Sequence, residues 1–455
     1  MDSKQCKKHK GITVPKSVNC FLVLAGFLAA PVAVAIELVK ADPWVLNLDI
    51  SAGYGVFHSS ESYAPLKSEE GSVRWNEGYY KAGFSGSYTL AKAGQVYGAW
   101  NYQGTGTWKD GDAAGKTTGD ERRNAVEDAY VGWRSGNWLP FLGEDGVDVS
   151  LGRQKYKIGN GFLIDGDTEN LGKGSDSLAP KSLDRGGTYY MASRQAFNKT
   201  ALFKLGKKNW RGEFFWLESD NPAQADTELF GTNLMWVTDA YGTVGLVWLH
   251  GRSVDDELAE YLGLTERDGQ DTFSLRYSGS AGVENLVVEA EYATQDNGDA
   301  GDDRAWYLKT GWKFADTAWK TEAGVRYSSF SNGYDPLFDG FSTGYGTWFQ
   351  GEVAGNYAGP FNSNADVWHG YVSARPMESL SIGVLYFDLK SRSTGAERLD
   401  AYEIDLYAEW QIADGITFSP LIGFYTPDKS AEDGGSQIGN DNTNVYLQAM
   451  FKLDF

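Results

Sequence analysis

Charged residues recur at every second position in several stretches of this chain. Glu289 and Glu291 share one parity, as do Glu322 and Arg326, and Glu403 and Asp405. Arg276, Lys309 and Arg375 fall on the matching parity of their own segments. Side chains two residues apart lie on one face of a β-strand. Acids and bases lined up on a water-facing wall set a transverse field that acts on polar, hydroxylated or charged solutes. The same residues also brace a wall through cross-strand ion pairs. Bond-making chemistry has less to work with. Beyond residue 35 the histidines are His58, His250 and His369, far apart in sequence, with no nucleophile elbow and no zinc spacing. An acyl hydrolase or acyltransferase would need a Ser-His pair assembled across strands. "DGDAAG" (110–115) and "DNGDAGDD" (296–303) resemble pieces of calcium loops but lack the full spacing. The reading is therefore no enzyme, no metal and no cofactor.

The elements that must carry these charges show in the periodicity. Residues 402–410, "YEIDLYAEW", set Tyr402, Ile404, Leu406, Ala408 and Trp410 against Glu403, Asp405, Tyr407 and Glu409. The stretch "NVYLQAMFKLDF" (444–455) alternates in the same way and ends on Phe455. A period of two means strands. Eighteen such segments can be placed, from 44–57 to 443–455, several of them long enough for a tilted membrane crossing. Aromatics at 14% and 56 glycines suit many strands joined by turns. Mean hydropathy, −0.41, excludes a helical membrane protein.

The links alternate in length. Short ones are 91–94, 206–209, 238–241, 315–317, 376–379 and 413–415; one turn of that series, 136–146, is longer. Long ones include 58–77, 105–122, 158–198, 253–270, 330–365 and 427–442. Short periplasmic turns and long extracellular loops mark an outer-membrane β-barrel. The expected fold is all-β: an antiparallel up-and-down transmembrane barrel of about 18 strands, with the apolar face in lipid and the polar face in the lumen. Trp44, Tyr79, Tyr80, Trp210, Trp306, Trp312, Trp319 and Trp410 are expected in the aromatic girdles. Residues 1–35 read as a signal peptide: five lysines ahead of a 16-residue apolar run that closes on Ala33-Val34-Ala35. Cleavage after Ala35 leaves 36–455 as one barrel domain bound for the bacterial outer membrane. It also removes both cysteines, Cys6 and Cys20, and takes the net charge from −20 to about −24. Such a charge excludes a bulk nucleic-acid binder.

Phe455 resembles the terminal residue of bacterial outer-membrane barrels, and the resemblance implies recognition by the barrel-assembly machinery. Two further segments resemble the alginate-export family of outer-membrane porins. One is "AYVGWRSGNWLPFLGEDGVDVSLGRQKYKIGNG" (129–161), with Gly152-Arg153-Gln154 before a long loop. The other is "YDPLFDGFSTGYGTWFQGEVAGNY" (334–357). The resemblance implies an 18-stranded monomer that passes a polyuronate through an arginine-rich constriction, with loops folding over or into the pore. It makes Arg153 a constriction residue. Strict alternation from Val147 aims Arg153 at lipid, so a bulge at Gly152 is expected to turn it inward, unless it lies above the apolar band.

The combined expectation is a passive channel for hydrophilic, charged or saccharide solutes. Arg153, Arg276, Arg326, Arg375, Lys309, Glu289, Glu291, Glu322, Glu403 and Asp405 line it. Loops 158–198 and 330–365 narrow it. Lipid and lipopolysaccharide surround it, and the chain acts as a monomer. The alternatives are an exporter of an anionic, alginate-like polysaccharide working with periplasmic partners, and a surface adhesion barrel with a blocked lumen.

Overall fold

The computed structural model describes residues 36–177, 179–298, 301–340, 350–393 and 398–455. The expected leader, 1–35, lies outside them. Strand β1 covers Ile36–Ala41, β2 Trp44–Ser59, β3 Val73–Thr89, β4 Gln95–Lys109, β5 Arg122–Arg134, β6 Val147–Gln154 and β7 Phe197–Lys207. Next come β8 Trp210–Glu218, β9 Glu228–Thr238, β10 Gly242–Ser253, β11 Asp271–Gly279, β12 Leu286–Asp296 and β13 Asp302–Phe314. The last are β14 Thr321–Phe330, β15 Ala365–Met377, β16 Leu380–Ser391, β17 Ala401–Ala413, β18 Ile416–Pro427 and β19 Asn444–Asp454.

From β2 to β19 each strand pairs antiparallel with the next, and β19 returns to β2, closing an 18-stranded barrel. Closure satisfies the backbone on both edges, as a lipid environment requires. At the seam Phe451 faces Tyr54, and Ile50 and Phe455 exchange both backbone hydrogen bonds at 2.7 Å. β1 is a short arm outside the count of 18. It folds back on β2, with Ala41 opposite Trp44 and Ile36 opposite Leu48, so it takes the lower part of the edge that β19 takes above. No helix among the described residues is long and apolar enough to cross a membrane; the strands do the crossing.

Alternation sorts the wall. On β17 Tyr402 and Leu406 are more than 40% exposed while Glu403 and Asp405 are fully buried. On β19 Leu447 and Phe451 point out, and Tyr446, Gln448 and Met450 are buried inside. The outward apolar surface is matched to lipid. Trp44, Tyr80, Trp210, Trp312, Trp319 and Trp410 are exposed in that surface, and Trp306 packs against Tyr327. Tyr79 is not with them. It precedes the outward Tyr80, has the opposite parity and points into the lumen, where the Ser51 hydroxyl donates to its hydroxyl oxygen.

The two rims differ. At one, the links are 90–94, 135–146, 208–209, 239–241, 280–285, 315–320, 378–379 and 414–415. At the other, they include 60–72, 110–121, 155–196, 254–270, 331–364 and 428–443. The described parts of the two longest, 155–196 and 331–364, fold into the barrel. Their apolar residues build the core between loop and wall. Trp75 and Phe57 stack at 5.2 Å and meet Tyr190 and Tyr357 from the loops; Phe162 meets Tyr307, and Phe338 meets Phe197. The core of this protein thus lies inside the wide-loop half of the barrel, not between two sheets.

Candidate functional site

The lumen is the candidate site, and carboxylates on its wall decide where the loops sit. Glu77 on β3 accepts hydrogen bonds from the Tyr190 and Met191 amides at 3.2 and 3.0 Å. Glu127 on β5 accepts from the Gln195 and Ala196 amides at 2.6 and 2.8 Å. Glu403 on β17 accepts from the Val353 and Ala354 amides at 2.7 and 2.9 Å. Each glutamate therefore clamps two consecutive amides of an in-folded loop. Backbone N–H groups carried into a barrel lose water, and a charged acceptor is the strong replacement. Tyr190 ties the two loops together by donating to Glu352. Lys116, from link 110–121, donates to the Asn356 carbonyl and stands over the rings of Tyr189 and Phe361.

The segment 334–340 is pinned twice. The Arg267 guanidinium grips the Asp335 carboxylate through Nε and a terminal nitrogen. Phe338 pairs by backbone with the other loop, its amide donating to Leu163 and its carbonyl accepting from Asp165. Gly159, at φ +56°, lies so close to Arg276 that a Cβ there would come within 3.0 Å of Nε. Glycine is favoured on both counts.

The ten residues expected to line a constriction fall at three levels. Arg276, Glu291, Arg326, Glu403 and Asp405 are all under 10% exposed, inside the loop-filled half. Arg276 donates to Asn233, and Ser274 donates to Glu291. Arg326 lies in register between Lys309 and His369, whose ring stacks on Phe387 at 4.4 Å. Glu289, Lys309, Glu322 and Arg375 are half-buried, nearer the short-turn rim. There Lys309 pairs with Glu289 at 3.2 Å and the Tyr371 hydroxyl donates to Glu322 at 2.8 Å. Lys81–Asp128 and Arg134–Asp148 repeat the pattern at 3.3 and 3.0 Å across the lumen. Acids and bases thus alternate around a half-exposed ring.

Arg153 belongs to neither group. The irregularity at Gly152 is present: Gly152 has φ +126°, and the β6–β7 register slips between it and Gln154. The backbone does not swing Arg153 to the lumen parity, because it stays opposite Ala129, on the side of Leu151 and Val131. Its charge is met at the rim by Asp220 at 2.8 Å and by Asn198. Asp220 also lies 3.5 Å from Arg185, a fully buried loop residue paired to Asp167 at 3.1 Å. Burial works against the Asp220 charge, yet the Arg153 hydrogen bonds, with Arg185 and Arg194 nearby, hold its carboxyl below the usual range. Burial, with Arg185 beside it, pulls Arg194 down to about 10.

Loop 331–364 carries a second electrostatic mark. Burial pushes the Asp339 carboxyl up to about 7, against the hydrogen bond that Asn362 donates to it and with Glu169 adding its own negative field. Burial likewise lowers Lys116.

Sequence reasoning passed over Glu77, Glu127, Glu352, Lys116 and Asp339. Glu77 had a signal: it shares the inward parity of Trp75 at the loop end of its strand. The piece of calcium loop at 110–115 proves self-satisfied. Asp112 accepts from the amides of Ala114, Lys116 and Thr117 and from the Thr117 hydroxyl. Among the described residues no group of three or more His, Cys, Asp or Glu is placed to hold a metal ion.

No family model matches the chain, and no curated protein matches it in sequence. Solved structures do match. OccK9 (OpdG) of Pseudomonas aeruginosa aligns with a TM-score of 0.55 at 9% identity, over 90% of this chain and 98% of that one. OccK2 (OpdF) of the same organism, in complex with glucuronate, gives 0.54 at 10% identity over 90% and 98%. OccK5 (OpdH) gives 0.54 at 8% identity over the same shares. The likeness is one of fold: the closed 18-stranded antiparallel barrel of outer-membrane porins.

Proposed function

We propose that this protein is a channel of the bacterial outer membrane for passive diffusion of small hydrophilic solutes. The long-loop rim faces outward and the short-turn rim the periplasm. The observation that carries the reading is the half-exposed ring of alternating charge beneath the in-folded loops. A ring with both signs, including Glu289, Lys309, Glu322 and Arg375, suits solutes that carry hydroxyls with a charge. A polymer of one sign gains less from it. Glucuronate, bound in the OccK2 structure, is a hydroxylated carboxylate, and this solute class fits the ring. Loops 155–196 and 331–364 set the aperture. The residues do no bond-making chemistry in this reading, since His58, His250 and His369 lie on separate strands or rims.

Single-channel conductance in planar bilayers under a salt gradient tests the proposal. Steady conductance with weak ion preference is the expected result. A purified, folded barrel that stays closed even after both loops are shortened would sink the channel reading and favour an adhesion barrel. One observation favours a second reading, export of an anionic polysaccharide with periplasmic partners. The segment 334–357 resembles the alginate-export family, and its Asp335 is gripped by Arg267. Strong anion preference would support it.

A further inference from the structure

Seven of the eight links at the short-turn rim have six residues or fewer, but 135–146 has twelve. Its sequence, "SGNWLPFLGEDG", is apolar in front and acidic behind. The backbone is closed on itself. The Asp145 amide donates to the Gly136 carbonyl at 2.9 Å, and the Gly136 amide to the Asp145 carboxylate at 3.0 Å. Such a turn holds its side chains in place. Phe141 is 66% exposed and Trp138 59%; no other large apolar residue among the described ones exceeds Phe141.

The direction of this apolar surface identifies what covers it. Trp138 packs edge-on against Trp133 at 5.7 Å. Trp133 lies on the outward parity of β5, with Val131, and opposite Val149 on β6. Val131 and Leu151, one step further up the wall, are each more than half exposed in the lipid-facing belt. The Trp133 indole N–H donates to the Ala93 carbonyl of the neighbouring turn, which fixes the ring. One apolar strip therefore runs from the belt through Trp133 to Trp138, and the exposed Phe141 stands three residues further along the same turn. The acids Glu144 and Asp145 line a cleft at this rim together with Leu142, Lys204 and Lys207. Aromatic residues at the level of the headgroups are the usual membrane-interface anchors.

We infer that turn 135–146 seats Trp138 and Phe141 in the headgroup layer of the periplasmic leaflet, an anchor extending below the girdle. The inference rests on the outer-membrane reading, and its test separates the two. With Cys6→Ser and Cys20→Ser in place, single cysteines can be set in the barrel without background. Phe141→Cys is labelled with a nitroxide and reconstituted in vesicles of phosphatidylethanolamine and phosphatidylglycerol. Asp316→Cys, on turn 315–320, serves as the aqueous control, and Leu151→Cys as the lipid control. Relaxation by oxygen is compared with relaxation by a water-soluble nickel chelate. The expected oxygen-to-nickel ratio at 141 is several-fold above that at 316 and approaches that at 151. A ratio at 141 equal to that at 316, with 151 reading as lipid, overturns the anchor and leaves a surface for a soluble periplasmic protein. A water-like ratio at 151 would count against the membrane barrel itself. Should Phe141→Cys fail to assemble, Trp138→Cys carries the same label with the same expected outcomes.

Discussion

The two halves of the lumen are cut from the same strands, yet their charges do different work. In the loop-filled half, Glu77, Glu127 and Glu403 are almost fully buried and each holds a pair of amides. In the open half, Glu289 and Lys309 keep 18% and 19% of their side-chain surface and hold each other, with Lys309 also over the Tyr371 ring. Where water is excluded, a carboxylate with hydrogen-bond donors is a strong fastener, and removing it strands the donors. Where water enters, the same group is a screened charge whose worth lies in the field it sets for passing ions. Position along one strand thus selects between structural and selective roles.

Replacing loop 331–364 with a short turn should break the difference most completely. The loop-filled half then becomes open, and single-channel conductance should rise several-fold. An unchanged conductance would mean that the loop never limits the path. Next in size is Glu403→Ala. Two buried hydrogen bonds are lost and their donors are stranded, at about 1–3 kcal/mol each, so segment 350–359 should exchange its amide hydrogens faster and the channel should flicker. The barrel itself should keep its heat-modifiable migration. Equal protection in the variant and the parent would show that Glu403 is no clamp.

A pH titration sharpens the same contrast. Asp339 docks in its neutral form, because burial raises its carboxyl from 3.8 to about 7. A raised acid binds more protons docked than released, so the docking stability of loop 331–364 falls as pH climbs from about 4 to 7 and is level above that. Proteolysis of the loop should be faster at pH 8 than at pH 5, and Asp339→Asn should remove the difference. The smallest effect belongs to the open half. Lys309→Gln should move the reversal potential toward cation preference at low salt, with the shift fading at high salt and stability changing by less than about 1 kcal/mol. A shift that persisted at high salt would place Lys309 in an enclosed site like those above it.

What the sequence disclosed follows the same division. Parity on β17 and β19 was readable because lipid accepts only apolar side chains, which makes alternation strict from Tyr402 to Trp410. Parity says that Glu403 points inward, but not that Val353 and Ala354 wait there. That contact joins residues 50 positions apart, and the Lys116–Asn356 contact spans 240. Strand ends at the loop rim were also obscure. β3 begins at Val73 rather than 78, because Trp75 and Glu77 answer to the loops, not to lipid. The long loops run 155–196 and 331–364, within a few residues of 158–198 and 330–365. β1 escaped notice because Leu38 and Val39 are adjacent, which breaks the period. Of the two placements expected for Arg153, the inward turn at Gly152 is not taken, and the residue sits at the rim. A glycine bulge was present, but a rim carboxylate, Asp220, met the charge more cheaply than turning the strand.

The seam has a consequence for how the barrel is made. The Ser51–Asp454 side-chain contact joins residues 403 positions apart, and the Ile50–Phe455 pair beside it is about as distant. Pairing across such a separation is the slowest to form, since loop closure must precede any reward. Until then the molecule is an open sheet with two raw margins, each able to recruit a stranger's strand. β1 already lies along the lower part of the β2 margin, from Trp44 to Leu48. That arm covers part of the margin, leaving for the last strand the stretch of β2 from Ser51 to Ser59.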